Sequence, residues 1–203
     1  MLSIHRLSLV TFALLTAAGI ARADSQPLPA SQPDSSTAQA RAQAAMSEFG
    51  TRLRAVLQEQ LQAQGPLPAI DVCHVQAPQI AAEVMQTHGV RLGRTSERVR
   101  NLANAPTEWQ TQLLTEFAAK VAGGEAPEAQ LAKQHDNLPD GVALRVMRGI
   151  PVEAPCTVCH GTTIAPEVAA SLLTYYPEDA ATGYSVGELR GAIWVEVLQQ
   201  VTP

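Results

Sequence analysis

Apolar residues recur at three- and four-residue steps from about Thr37 to Gln64, with Met46, Phe49, Leu53, Val56, Leu57 and Leu61 forming one stripe. That period predicts an amphipathic helix, and Gly65-Pro66 ends it. A second helical region runs from about Pro68 to His88, with Pro78 opening a new helix inside it, because proline is tolerated in a first turn and not in an interior. Cys73, Ala77, Ile80, Ala81 and Val84 fall on one face of that period, and Gly89 closes it. Residues 90–104 are mixed, a short extended piece around 89–95 and then a loop rich in Arg, Ser and Asn. Asn104 and Pro106 introduce a third helix carrying Trp109, Leu113, Leu114, Phe117 and Val121, which Gly123-Gly124 closes.

The pattern then changes. A short helix is expected around 126–134, after which "VALRVMRGI" (142–150) alternates with period two, placing Val142, Leu144 and Val146 on one side of a strand. A helix near 165–175 follows, then the turn-rich "YPEDAATGYSVGELRG", then "AIWVEVLQQV" (192–201) as a final strand. The expectation is an α+β domain, a small antiparallel sheet with an N-terminal helix and flanking helices packed on it. No internal repeat is visible.

The N-terminus changes where this domain is expected to work. "MLSIHRLSLVTFALLTAAGIARA" has Arg6 in a short positive start, an apolar run from Leu7 to Ile20, and Ala21-Arg22-Ala23 as a small-x-small cleavage site. Residues 1–23 therefore read as a secretory signal peptide, the apolar run being too short to span a bilayer. Residues 24–36, "DSQPLPASQPDSS", read as a flexible lead-in, and 37–203 as a single domain. Cleavage removes Arg6 and Arg22 and no acid, which takes the formal net charge from −5 to −7. An acidic soluble protein of the periplasm is expected, with no nucleic acid and no anionic membrane as partner, and with a charge suited to steering toward a basic docking partner.

Chemistry enters with three cysteines, Cys73, Cys156 and Cys159, an odd number for an exported chain. "APCTVCHG" (154–161) holds Cys156-Thr157-Val158-Cys159-His160. In a c-type haem site two thiols at this spacing form thioethers with the two vinyl groups, and the adjacent imidazole binds iron. Three other readings compete. A thioredoxin-type redox pair needs the motif at a helix start just after an early strand, and here it lies late in the chain with no βαβ pattern around it. A structural zinc needs four ligands, which Cys73 and a histidine would have to complete. A plain disulfide between Cys156 and Cys159 is the last. For the other side of a haem iron the candidates are Cys73, His74, His88, His135 and Met147. His88 at a helix end and His135 in a loop read as ordinary packed or solvent-facing residues, and Met147 as pointing into the core or toward a haem edge. Cys73 and His74 remain.

Four blocks occur in a fixed order: "AIDVCHVQAPQIAAE", "GRTSERVRNLANAPTEWQ", "PCTVCHG" and "YPEDAATGYSVGELRGAI". On these blocks the chain resembles, over roughly residues 40–201, the single-haem c-type domains with a PAS-like fold. That family was first described for a cyanobacterial cytochrome and is otherwise found as periplasmic sensor modules of signalling proteins. The resemblance implies one covalent haem c held by Cys156 and Cys159, with His160 as one axial ligand and Cys73 as the other, which would account for the odd cysteine. His74 is the competitor. It also places Arg94 in a fixed Arg-Thr-Ser block, and Arg94 is the guanidinium expected at a haem propionate. The other arginines of the Arg94…Arg98…Arg100 cluster either do the same or brace loops against Glu97 and Glu108. Leu102 stands where the family usually has proline, and Gln110 where it usually has glutamate. The expected role is that of a redox or electron-transfer cytochrome with a separate redox partner protein, not an enzyme. The alternative is a haem-based redox or gas (NO or CO) sensor acting through a separate partner.

Overall fold

The computed structural model describes residues 35–200. The expected signal peptide and residues 24–34 of the expected lead-in lie outside them. Among the described residues no helix is long and apolar enough to cross a membrane.

The first helix, α1 (Ser35–Gln64), carries the long apolar stripe, and Gly65 ends it at φ 82°. Next come α2 (Pro66–Asp71), a π-helical turn (Val72–Gln76) and α3 (Ala77–His88), with a proline in the first turn of α3 as its sequence requires. Gly89 adopts the left-handed conformation, φ 60°, that caps a helix. The exposed carbonyls there are bound by Arg41, whose guanidinium donates to the carbonyls of His88, Gly89 (2.6 Å) and Leu198 (3.2 Å).

Strands β1 (Val90–Thr95), β2 (Leu131–Gln134), β3 (Val142–Pro151) and β4 (Leu189–Leu198) form one antiparallel sheet in the order β1-β4-β3-β2. The register pairs Val90 with Val197, Val146 with Val195 and Ile150 with Gly191. Alternation then sorts the side chains. Leu92, Leu144, Val146, Ile193, Val195 and Val197 pack under α1 and α3. Met147, Ala192 and Trp194 face the other way and pack under α4 (Glu108–Ala122) with Leu113, Leu114 and Phe117. On that second face Glu196 sits between Arg91 and Arg145, at 2.8 Å from each. The remaining helices are α5 (Thr157–His160) and α6 (Pro166–Tyr175).

Three expectations need correction. Residues 126–134 are not a helix: a 3-10 turn at Pro127–Ala129 leads into the edge strand β2. Pairing with β3 overrides the local helical composition, and the carbonyl of buried Gln130 accepts the N–H of Gly149 (2.9 Å). Helix α4 starts from Thr107 rather than Asn104, with a capping box in which Thr107 N–H donates to the side chain of Gln110 (2.9 Å). Glutamine makes that contact as well as glutamate would, so Gln110 here is a capping residue. The last strand begins at Leu189, three residues earlier than its apolar run suggests, because Gly191 pairs with Ile150.

Phe117 is 1% exposed at the centre of the second face. Replacing it with alanine empties that layer. The expected cost is about 3–5 kcal/mol, read as a melting temperature lowered by roughly 6–20 °C for a domain of this size.

Candidate functional site

The Cys-x-x-Cys-His segment sits where β3 leaves the sheet. A 3-10 turn at Ala154–Cys156 contains Pro155 in its first positions, and one helical turn, α5, carries Thr157 to His160. Gly161 N–H donates to the Thr157 carbonyl (2.9 Å), and a Cβ on Gly161 would overlap that carbonyl, so the residue after the histidine has to be glycine. Cys156 packs beside Val152, Ala181 and Tyr184, and Cys159 beside Ile70, Val168, Leu172 and Tyr176.

His160 is held on one side only. Its Nδ1 lies 2.7 Å from the Ala181 carbonyl. A carbonyl accepts, so Nδ1 carries the proton and the lone pair resides on Nε2, the arrangement of a metal-ligating histidine. Burial, then the charges of Arg190 and Arg100, lower the imidazole pKa to about 2, against the opposing pull of the Ala181 hydrogen bond. His160 is therefore neutral at any physiological pH, and its Nε2 is available as a donor.

A cavity of about 300 Å3 opens beside it, within the ~300–1,000 Å3 range of cofactor clefts. Its walls are mostly apolar, with Met46, Phe49, Leu53 and Leu57 of α1, Ile70 of α2, Leu172 and Tyr176 from α6 and its end, and Ile193 of β4. Cys73, Cys156, Cys159, His160 and Arg94 all line it. Three segments far apart in sequence thus bring Cys73, Arg94 and the Cys156–His160 motif to one space.

Cys73 and His74 part company here. Cys73 faces the cavity from the π-helical turn, whereas His74 is exposed and rests on Tyr175 and Tyr176, ring centroids 4.9 and 5.6 Å away. A π turn places one more residue in the circuit than an α turn and recurs at functional sites. His88 bonds Glu48 (2.8 Å), His135 is exposed after β2, and Met147 is fully buried on the opposite face of the sheet.

The arginines divide into two groups. Arg98 and Arg100 brace the loop before β4, but not through Glu97 or Glu108. Arg98 donates to the Thr182 carbonyl (2.9 Å) and lies 3.5 Å over the Tyr184 ring. Arg100 pairs with Asp179 (3.0 Å) and donates to the carbonyls of Cys159 and Ala181. Arg94 and Arg190 face the cavity, and among the described residues no carboxylate lies within ion-pair distance of either. Burial first, then the charges of Arg100 and Arg94, lower the pKa of Arg190, against Tyr184. A buried guanidinium without an acid is costly unless an anion joins it. Arg190 was not among the residues that the sequence pointed to. Its signal was a lone arginine between apolar Leu189 and Gly191, at the mouth of a strand.

Burial pushes the Cys159 thiol up, and Arg100 only partly offsets it. Among the described residues no three His, Cys, Asp or Glu side chains converge at the spacing of a small-ion site, so the four donors of a structural zinc are not assembled.

Fold and site together define an α+β domain built around a cofactor-sized cavity that a Cys-x-x-Cys-His turn closes on one side. The chain belongs to the Tll0287-like family, which it matches over residues 32–197. Among solved structures it is similar to the crystal structure of the cyanobacterial haem-protein Tll0287, at 26% identity, with 79% of this chain and 94% of that one covered and a TM-score of 0.58. No curated protein matches it.

Proposed function

We propose that this chain is a periplasmic cytochrome with one covalent haem c that carries electrons to or from a separate protein. One observation carries the reading: Cys156, Cys159, His160 and Cys73 line a single apolar cavity, with the His160 tautomer already set for ligation. The similar structure is that of a haem-protein, which supports the same cofactor here.

The donor set fits the group. Cys156 and Cys159 would hold the porphyrin through thioethers, His160 Nε2 and the Cys73 sulfur would bind its iron, and Arg94 and Arg190 would meet the propionates. The haem would supply a one-electron couple. The chain's part is to exclude water with the aliphatic wall, fix His160 through Ala181, and offer a thiolate that favours ferric iron and lowers the potential. Two protein donors leave no position for a substrate, so no turnover is proposed. The signal peptide supports the periplasmic location, and the acidic balance supports a basic docking partner.

A sensor role is the second reading, and the π-helical turn under Cys73 favours it, since that turn can re-register if the iron–sulfur bond weakens on reduction. The intact mass of the mature chain tests the first part: an increase equal to one haem is expected, and a mass equal to the polypeptide alone contradicts it. Carbon monoxide added to the reduced protein separates the two roles. An unchanged spectrum is the carrier's result, and a shifted Soret band is the sensor's.

A further inference from the structure

Arg100 and Asp179 form an ion pair 3.0 Å apart with side chains only 9% and 4% exposed. Burying two charges is expensive, and replacing such a pair with apolar residues is often neutral or stabilising, so stability alone does not explain it. The remaining hydrogen bonds of the pair all go to one place. Asp179 Oδ1 accepts the Ala181 N–H (2.8 Å), and Arg100 Nη2 donates to the Ala181 carbonyl (3.3 Å) and to the Cys159 carbonyl. The Ala181 carbonyl is the same one that accepts from His160 Nδ1 (2.7 Å). Arg100 therefore grips the backbone on both sides of His160, at Cys159 in α5 and at its acceptor Ala181. Ala181 itself is fully buried, and Ala180 N–H donates to the Val99 carbonyl (2.9 Å), so the loop has no freedom to drift.

We propose that the Arg100–Asp179 pair is a positioning device for His160 that also sets the reduction potential of the site. The inference rests on the haem reading above. A carbonyl already accepting from a guanidinium draws less on the imidazole N–H, so Nε2 donates less electron density than it would with a free acceptor. The two charges act in opposite senses. The guanidinium favours the state with less positive charge on the metal, the reduced one, and the carboxylate favours the oxidised one. Position in the fold makes both felt, because neither charge faces water that would screen it.

Midpoint potentials of the holoprotein test this by sign. Arg100→Gln is expected to raise the oxidised-to-reduced ratio at fixed potential by about tenfold, a fall of about 59 mV for one electron. Asp179→Asn is expected to lower that ratio by a similar factor, and Arg100→Lys, which keeps the charge, to leave it within about twofold. A pair that only braced the loop would loosen His160 in both neutralising variants and move both the same way. Shifts of one sign, or none beyond twofold, overturn the proposal. Should a neutralising variant fail to accumulate folded, the exchange rate of the His160 Nδ1 proton in the unmodified protein decides. Slow exchange is expected, and exchange as fast as an exposed imidazole overturns it. A haemochrome spectrum recorded beside each titration keeps the two claims apart. Haem present with an unmoved potential overturns this inference alone, and an unmodified chain without haem overturns both.

Discussion

Replacing Cys156 and Cys159 together with alanine is expected to abolish covalent attachment completely, so that all pigment leaves the protein in acid-acetone. Both sulfurs are reachable from the cavity, and burial pushes the Cys159 thiol up. Their value on this account is as thioether-forming groups, Cys156 one helical turn and Cys159 one residue before a histidine whose Nε2 is free. The double variant keeps His160, Cys73 and the apolar walls, so haem binding weakens to a reversible equilibrium rather than vanishing. Each single variant keeps one thioether and is expected to retain pigment through extraction with a red-shifted α-band. Nothing in the sheet depends on these sulfurs, since they pack at the edge of small clusters away from the main core. A double variant that unfolds, with no haem in the unmodified chain, would mean that the two cysteines are a structural pair instead.

Cys73→Ala is the second large effect. On the proposed ligation it removes one of the two donors and would leave His160 alone on the iron. The ferric protein is expected to turn high-spin and lose its thiolate charge-transfer band. Its potential is expected to rise by more than about 59 mV, tenfold in the ratio of the two states, and its ferrous form to bind carbon monoxide. His74→Ala is the control. Its ring lies outside the cavity against Tyr175 and Tyr176, so the spectrum should not change. An unchanged spectrum in Cys73→Ala together with a changed one in His74→Ala would transfer the ligand role to the histidine. The neighbouring pair is separated by orientation: Cys73 lines the cavity, and His74 packs on Tyr175 and Tyr176.

Orientation of this kind was not legible in the sequence, whereas most of the framework was. The stripe of α1, the stops at Gly65 and Gly89, the proline opening α3 and the alternation of β3 all follow from local periods and local breakers. Strand β2 was hidden because its residues, Leu131 to Gln134, have no strand period of their own and extend only by pairing with β3. The cavity was half legible. The motif and Cys73 announce a chemistry through residue type, but Arg190 and Asp179 act through partners from 79 to 94 positions away. The sequence singles out Arg94 and leaves Arg98 and Arg100 between a propionate role and bracing a loop. Only the fold shows that Arg98 packs on Tyr184 and that Arg100, at the cavity wall, is taken up by Asp179, while Arg94 faces the cavity with no carboxylate partner among the described residues.

The central claim is covalent haem at Cys156 and Cys159. Its most direct test is a pyridine haemochrome spectrum of the full chain, expressed from Met1 in a host that carries cytochrome c maturation machinery. A c-type α-band that survives acid-acetone extraction is the predicted result. A colourless protein under those conditions would contradict the account.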